Sequence, residues 1–179
     1  MDSNPIDLDQ LIITPFEKGM TKGVFSTVDG EFKHLVNWFM TSALHSQRDK
    51  KSKTYVALYK GDVVGFICIS ISHLKAIPGI IPLTKSFEFQ VLQIGKLFVD
   101  ESVRNIGIGK RLVDFALDIS QTIDEMVGCI GIVVDANNNE RTINFYTKYG
   151  FELLSDKKSG ETIPMFFKLP EQALLSNKE

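Results

Sequence analysis

The chain has little of what several common chemistries require. Its two cysteines, Cys68 and Cys129, sit in apolar, strand-like stretches without metal-ligand spacing, so no disulfide framework or zinc site is expected and both read as reduced core thiols. The three histidines, His34, His45 and His73, share no ligand spacing either, and no metal is expected. Positive charge is not in excess: 20 basic against 22 acidic residues give a net charge of −2, with no general pull toward nucleic acid or an anionic membrane. No apolar run approaches the length of a membrane span. The opening residues, Met1 to Pro5, lack a basic start and an apolar stretch, which predicts no signal peptide and a cytoplasmic protein. Repeats and low-complexity segments are absent. What remains is a globular composition, 44% apolar and 23% charged over 179 residues, enough for the core of one domain spanning 1–179.

Periodicity predicts a mixed order of elements. Residues 11–14 read as a short strand stopped by Pro15, and 16–30, rich in Gly, Thr and Lys, as a loop. Residues 31–44 read as an amphipathic helix with Phe32, Leu35, Val36, Phe39 and Ala43 on one face, flanked by His34 and Trp38. The charged run 47–53 reads as a solvated loop. Strands at 54–59 and 63–70 form a hairpin through Lys60, Gly61 and Asp62. Residues 72–86 carry two prolines and a glycine among apolar residues, the composition of a lid or binding loop. A long strand follows at 87–99, antiparallel to the hairpin, then a helix over 108–126 and a strand at 128–135 parallel to the first through a crossover. Residues 141–149 form a short helix closed by Gly150, with asparagines before it as N-caps. Strands at 151–154 and 162–169, joined by a turn at 157–160, close the fold, and the last ten residues are a polar tail. The class is α/β (mixed α+β), with a central mixed sheet of about six to seven strands flanked by helices.

The informative stretch is the strand-to-helix junction around Arg104, Asn105, Ile106, Gly107, Ile108, Gly109 and Lys110. Helix N-termini favour acids, yet Arg104, Lys110 and Arg111 crowd this one. That arrangement makes sense if an anion occupies the turn, held by backbone N–H groups and these cations, with glycines that let the backbone approach it. Neither a P-loop nor a dinucleotide fingerprint fits the letters, because Gly109 is followed by Lys110, Arg111 and Leu112. Gly95, inside the preceding strand, predicts a bulge and with it a slot between diverging strands. An extended ligand arm would add to the sheet there, bonded to the backbone of Leu97 and Val99.

Arg104-x-x-Gly107-x-Gly109 resembles the Arg/Gln-x-x-Gly-x-Gly/Ala acyl-CoA motif of the GNAT acetyltransferase superfamily, and residues 96–100 and the following helix lie in that family's order. A second stretch, Asn139 to Phe151, is similar to the family's Asn-x-x-Ala-x-x-Phe/Leu-Tyr-x-x-x-Gly-Phe, with Thr142 in place of alanine. The resemblance is strong over 54–169 and implies a single GNAT-like domain splayed at the acyl-CoA slot, direct acetyl transfer from acetyl-CoA to a primary amine, and no metal. It assigns Leu97, Phe98, Val99, Arg104, Asn105, Ile106, Gly107, Ile108, Gly109, Lys110 and Asn139 to the coenzyme, with Asn137 as a second choice for the last. Tyr146 becomes the general acid that protonates the leaving thiolate. A backbone N–H near Phe98 or Val99 becomes the oxyanion donor. No carboxylate stands out as base; Glu88 and Glu101 are positional guesses.

The expected acceptor is an amine of a small molecule or protein. Residues 32–43 and 50–70 also resemble the superfamily's toxin branch, which acetylates aminoacyl-tRNA and pairs with a small antitoxin. Lys50, Lys51, Lys53, Lys75 and Lys85 would supply its basic surface. A third reading is a non-catalytic acyl-CoA sensor, against which Tyr146 argues. The expected assembly is a monomer or homodimer without a membrane partner.

Overall fold

The computed structural model describes residues 7–20, 25, 30, 32–75, 77, 79, 80, 88–154 and 160–170. Its strands are Ile12–Pro15 (β1), Lys53–Tyr59 (β2), Asp62–Lys75 (β3), Glu88–Val99 (β4), Gly131–Asn137 (β5), Glu152–Leu153 (β6) and Thr162–Lys168 (β7). The helices are Lys33–Thr41 (α1), Ala43–Arg48 (α2), Ile108–Val127 (α3) and Glu140–Lys148 (α4). The strands are hydrogen-bonded in the order β1-β2-β3-β4-β5-β7-β6, the mixed α/β arrangement expected. The chain forms two compact units, one of Met1–Ser72 with Leu92–Ile119, the other of His73–Val91 with Ser120–Glu179.

In the first unit a run of aromatic rings makes the core. Phe39 stacks on Phe66 at 4.5 Å between centroids, Phe66 on Phe98 at 5.6 Å, and Phe16 meets Phe39 at 4.4 Å. The stripe read for the first helix is the buried one, with Val36, Phe39 and Ala43 fully covered. That segment is nevertheless two helices. The Thr41 hydroxyl donates back to the Asn37 carbonyl (2.8 Å) and Ser42 leaves helical geometry at φ −122°, so α2 starts afresh and runs on to Arg48, into the stretch read as loop. β1 ends at Pro15, which is its last paired residue, opposite Tyr55, and is tolerated there because β1 is an edge strand. β2 and β3 pair as the expected hairpin, but β3 continues to Lys75, four residues into the predicted loop. The remainder of that loop, apart from residues 77, 79 and 80, lies outside the described residues, as do 21–24 and 26–29 of the first loop, 155–159 of the last turn, and the tail from 171.

α3 buries Ile108, Leu112, Val113, Ala116 and Ser120. Phe115 packs edge-on against Tyr55 at 4.6 Å. Met126, expected on the covered stripe, is 76% exposed because the helix has outrun its packing by its last turn.

In the second unit β5 begins at Gly131, three residues later than predicted, and pairs antiparallel with β7 from Gly131↔Lys168 to Asn137↔Thr162. β7 also holds β6 through Glu152↔Phe166. Gly131 permits this approach: a Cβ there would collide with the Phe167 carbonyl and lie 2.6 Å from the Phe166 ring. Gly131→Ala is therefore expected to cost about 2–3 kcal/mol, as overpacking does in a closed core. Urea titration checks this; an unchanged midpoint would show that β5 and β7 can part at no cost.

Candidate active site

β4 sets the geometry. Within a strand, the N–H and C=O of one residue point to one side and those of the next to the other. The Phe98 carbonyl lies 2.7 Å from where a Cβ on Gly65 would sit, and the Asp100 N–H donates to the Val64 carbonyl at 2.9 Å. Asp100 thus gives its N–H to β3, and the Phe98 carbonyl lies against the same strand. By alternation Leu97 and Val99 present theirs to the opposite side, where the Val99 carbonyl already accepts from Arg104 Nε at 3.0 Å. At its other end β4 uses an even-numbered residue differently, since the Gln90 carbonyl accepts from the Ile130 N–H at 3.0 Å. β3 and β5 flank β4 on opposite sides.

After Val99 the chain is tightly constrained. Asp100 is buried, and its Oδ1 accepts from the Ser102 N–H (2.9 Å) and hydroxyl (2.6 Å), forming a 3-10 turn over Glu101–Val103. Asn105 at φ +65° and Gly107 at φ +104° then reverse the chain. The first helical bond of α3 runs from the Arg111 N–H to the Gly107 carbonyl at 3.0 Å. Helix geometry leaves the amides of Ile108 and Gly109 without an acceptor inside the helix, so they point out of its N-terminus. A left-handed glycine followed by such amides fits a diphosphate.

Each cation at this corner has a carboxylate partner. Arg104 pairs with Glu101 at 2.9 Å, Lys110 with Asp114 at 3.1 Å, and Arg111 with Asp9 at 3.5 Å. The last two are exposed pairs, worth roughly 0–1 kcal/mol, and an incoming phosphate can exchange for them at little cost. Arg104 differs, with a side chain only 14% exposed. Sequence reasoning missed Asp9 and its neighbour Leu8, whose Cδ1 lies 3.0 Å from a Cβ built on Gly107. No local signal links residues a hundred positions apart.

Asn139 and Tyr146 belong to the second unit. Asn139 is the N-cap of α4: its Oδ1 accepts from the Thr142 N–H at 2.8 Å. Asn137 ends β5, and the Asn138 amide donates to the Gly160 carbonyl. Tyr146 is 4% exposed, its ring edge-on to Phe145 at 5.0 Å and Phe151 at 5.2 Å. Burial pushes its hydroxyl pKa well above the ordinary tyrosine value, so the hydroxyl carries its proton throughout the neutral range. Of the two carboxylates considered as base, Glu101 is held by Arg104 and Glu88 is exposed at the start of β4. Among the described residues no group of three or more His, Cys, Asp or Glu is placed to hold a metal ion, and no helix is long and apolar enough to cross a membrane. Lys50, Lys51, Lys53 and Lys75 are exposed, Lys51 beside Asp49 at 3.3 Å; Lys85 lies outside the described residues.

The sequence profile of the Acetyltransferase (GNAT) family matches residues 22–151. Among solved structures, a bacterial toxin superposes with a TM-score of 0.75 at 17% identity, covering 88% of this chain and 90% of its own. AtaT complexed with acetyl-methionyl-tRNAfMet gives 0.72 at 23% identity, covering 88% and 94%. AtaTR bound with AcCoA gives 0.71 at 23% identity, covering 89% and 94%. Motif order, fold and profile agree: the chain belongs to the GNAT acetyltransferase family and is an acetyl-CoA-dependent N-acetyltransferase.

Proposed function

We propose that the chain acetylates the α-amine of an aminoacyl-tRNA, as a member of the family's toxin branch. The observation that carries this reading is the likeness to AtaT, complexed with acetyl-methionyl-tRNAfMet, over 88% of the chain. Such coverage takes in much of the N-terminal part, which precedes both motifs. The chemistry agrees. A free aliphatic amine, with pKa near 10, must lose a proton before it attacks, whereas α-amines have pKa near 8 and need little help. With Glu101 occupied by Arg104, an acceptor that needs no base suits the site.

Acetyl-CoA supplies the acetyl group as a thioester. The amides of Ile106 to Lys110 hold the diphosphate, with Lys110 and Arg111 turning toward it. Leu97 bonds the pantetheine amides, Val99 meets the thioester end of the arm through its N–H, and Asn139 contacts the same arm. Alternation from Asp100, whose N–H goes to β3, turns the Val99 N–H to the other side of β4 and makes it the better oxyanion donor. Tyr146 gives its proton to the departing sulfur. Its burial does not disqualify it as an acid, since desolvation raises the basicity of a buried thiolate as well.

Under this reading a small antitoxin protein is the natural partner, and the enzyme works as a monomer or homodimer. AtaT has been solved with the C-terminus of its antitoxin AtaR, and a KacTA–DNA complex is also known. Transfer to a small-molecule or protein amine is the second reading, supported by the slightly acidic net charge of −2. Thiol release measured with charged tRNAs, polyamines and peptides separates them. We expect kcat/KM at least about 100-fold higher for charged tRNA, with N-acetylated amino acid recovered after ester hydrolysis. Preference for a free amine would overturn the tRNA assignment, and tight acetyl-CoA binding without transfer to any acceptor would favour a sensor.

A further inference from the structure

We propose that Arg104 is a positioning residue rather than a phosphate ligand: through its Nε–H it fixes the Val99 carbonyl, and so sets the path by which β4 enters the Asn105–Gly107 turn. The inference deepens the acetyl-CoA reading above and rests on it. Three contacts define the role. Nε donates to the Val99 carbonyl at 3.0 Å, Nη1 donates to Glu101 Oε1 at 2.9 Å, and the guanidinium lies 4.6 Å from the Phe32 ring centroid and 5.8 Å from that of Phe98. Two directions of the planar fork and one of its faces are thereby taken.

At 14% exposure the side chain is far less accessible than those of Lys110 (64%) and Arg111 (49%). Swinging it out to an anion would strip a half-buried carbonyl of its donor, whereas the other two cations give up only exposed partners. Arg104 also ties three pieces of the first unit together: the residue before α1 through Phe32, the end of β4 through Val99, and the turn through its own backbone. Val99 is the residue offered above as oxyanion donor. A small shift at Arg104 therefore moves the amides of the turn and the Val99 N–H together.

Side-chain chemistry provides a test in which the two roles predict opposite orders. Glutamine carries its Nε2 the same number of bonds from Cα as arginine carries Nε, so Arg104→Gln keeps a donor for Val99 while losing the charge. Arg104→Lys keeps the charge but places a methylene at that atom. Calorimetry with coenzyme A should find Arg104→Gln within about threefold of wild type and Arg104→Lys at least about tenfold weaker. In the unliganded proteins, amide hydrogen exchange over 99–107 should be faster in Arg104→Lys and near wild type in Arg104→Gln. Binding by Arg104→Lys equal to or better than Arg104→Gln, or equal losses in both, or no loss in either, would overturn the proposal. If wild type itself gives no heat with coenzyme A, the acetyl-CoA reading fails instead. The exchange comparison then still decides the role of Arg104, an unchanged rate in Arg104→Lys refuting it.

Discussion

Tyr146→Phe lowers the rate of acetyl transfer by at least about 100-fold and leaves the Kd for acetyl-CoA within about threefold of wild type, since a positioned general acid contributes roughly 10²–10⁴ in rate. The substitution removes one oxygen from a ring packed on Phe145 and Phe151 and keeps its shape. A purely structural Tyr146 would respond differently. Deleting a buried hydroxyl that serves only packing changes stability slightly and turnover not at all. Single-turnover kinetics with pre-bound acetyl-CoA read the chemical step directly, and thermal unfolding reports whether packing has changed. A variant with wild-type turnover would remove Tyr146 from the mechanism and leave departure of the thiolate to solvent.

Gly109→Glu abolishes coenzyme binding, with a loss of at least about 100-fold, while the fold becomes no less stable. Gly109 lies in the first turn of α3, which carries no acidic residue. There a glutamate improves helix propensity by about 1 kcal/mol over glycine and complements the helix dipole. The same side chain sets a negative charge against the diphosphate and fills the space its oxygens need. Stability and affinity thus move in opposite directions. Gly107→Glu would lose binding too, but its backbone at φ +104° adds strain that confuses the two effects. Unimpaired coenzyme binding by a well-folded Gly109→Glu would place the diphosphate elsewhere.

Where chemistry depends on neighbours in sequence, the chain could be read. The glycine turn that opens α3 and the stop at Gly150 are local events that stand where expected, and one of the asparagines offered as N-caps, Asn139, is the cap. The first helix was harder, because its break at Ser42 depends on a Thr41 hydroxyl returning to the backbone, a choice that apolar periodicity does not encode. β3 outran its predicted end because Ser72, His73 and Lys75 look like loop residues, although alternating exposure suits an extended strand just as well. Least visible were the partners of the cations. The charge crowding suggested that Arg104, Lys110 and Arg111 all awaited an anion, yet Glu101, Asp114 and Asp9 meet them. Asp9 arrives only through the tertiary fold. The acceptor stayed open for another reason: under the aminoacyl-tRNA reading the amine deprotonates easily, and an acceptor of that kind requires no catalytic carboxylate.

Under the proposed function a diphosphate is held by the amides that open α3. Titrating 15N-labelled protein with coenzyme A while following backbone amide resonances tests this directly. We predict saturable shifts that are largest at Ile106 to Lys110, with Leu97 and Val99 also moving. Saturable shifts confined to other residues, or none at all, would contradict it.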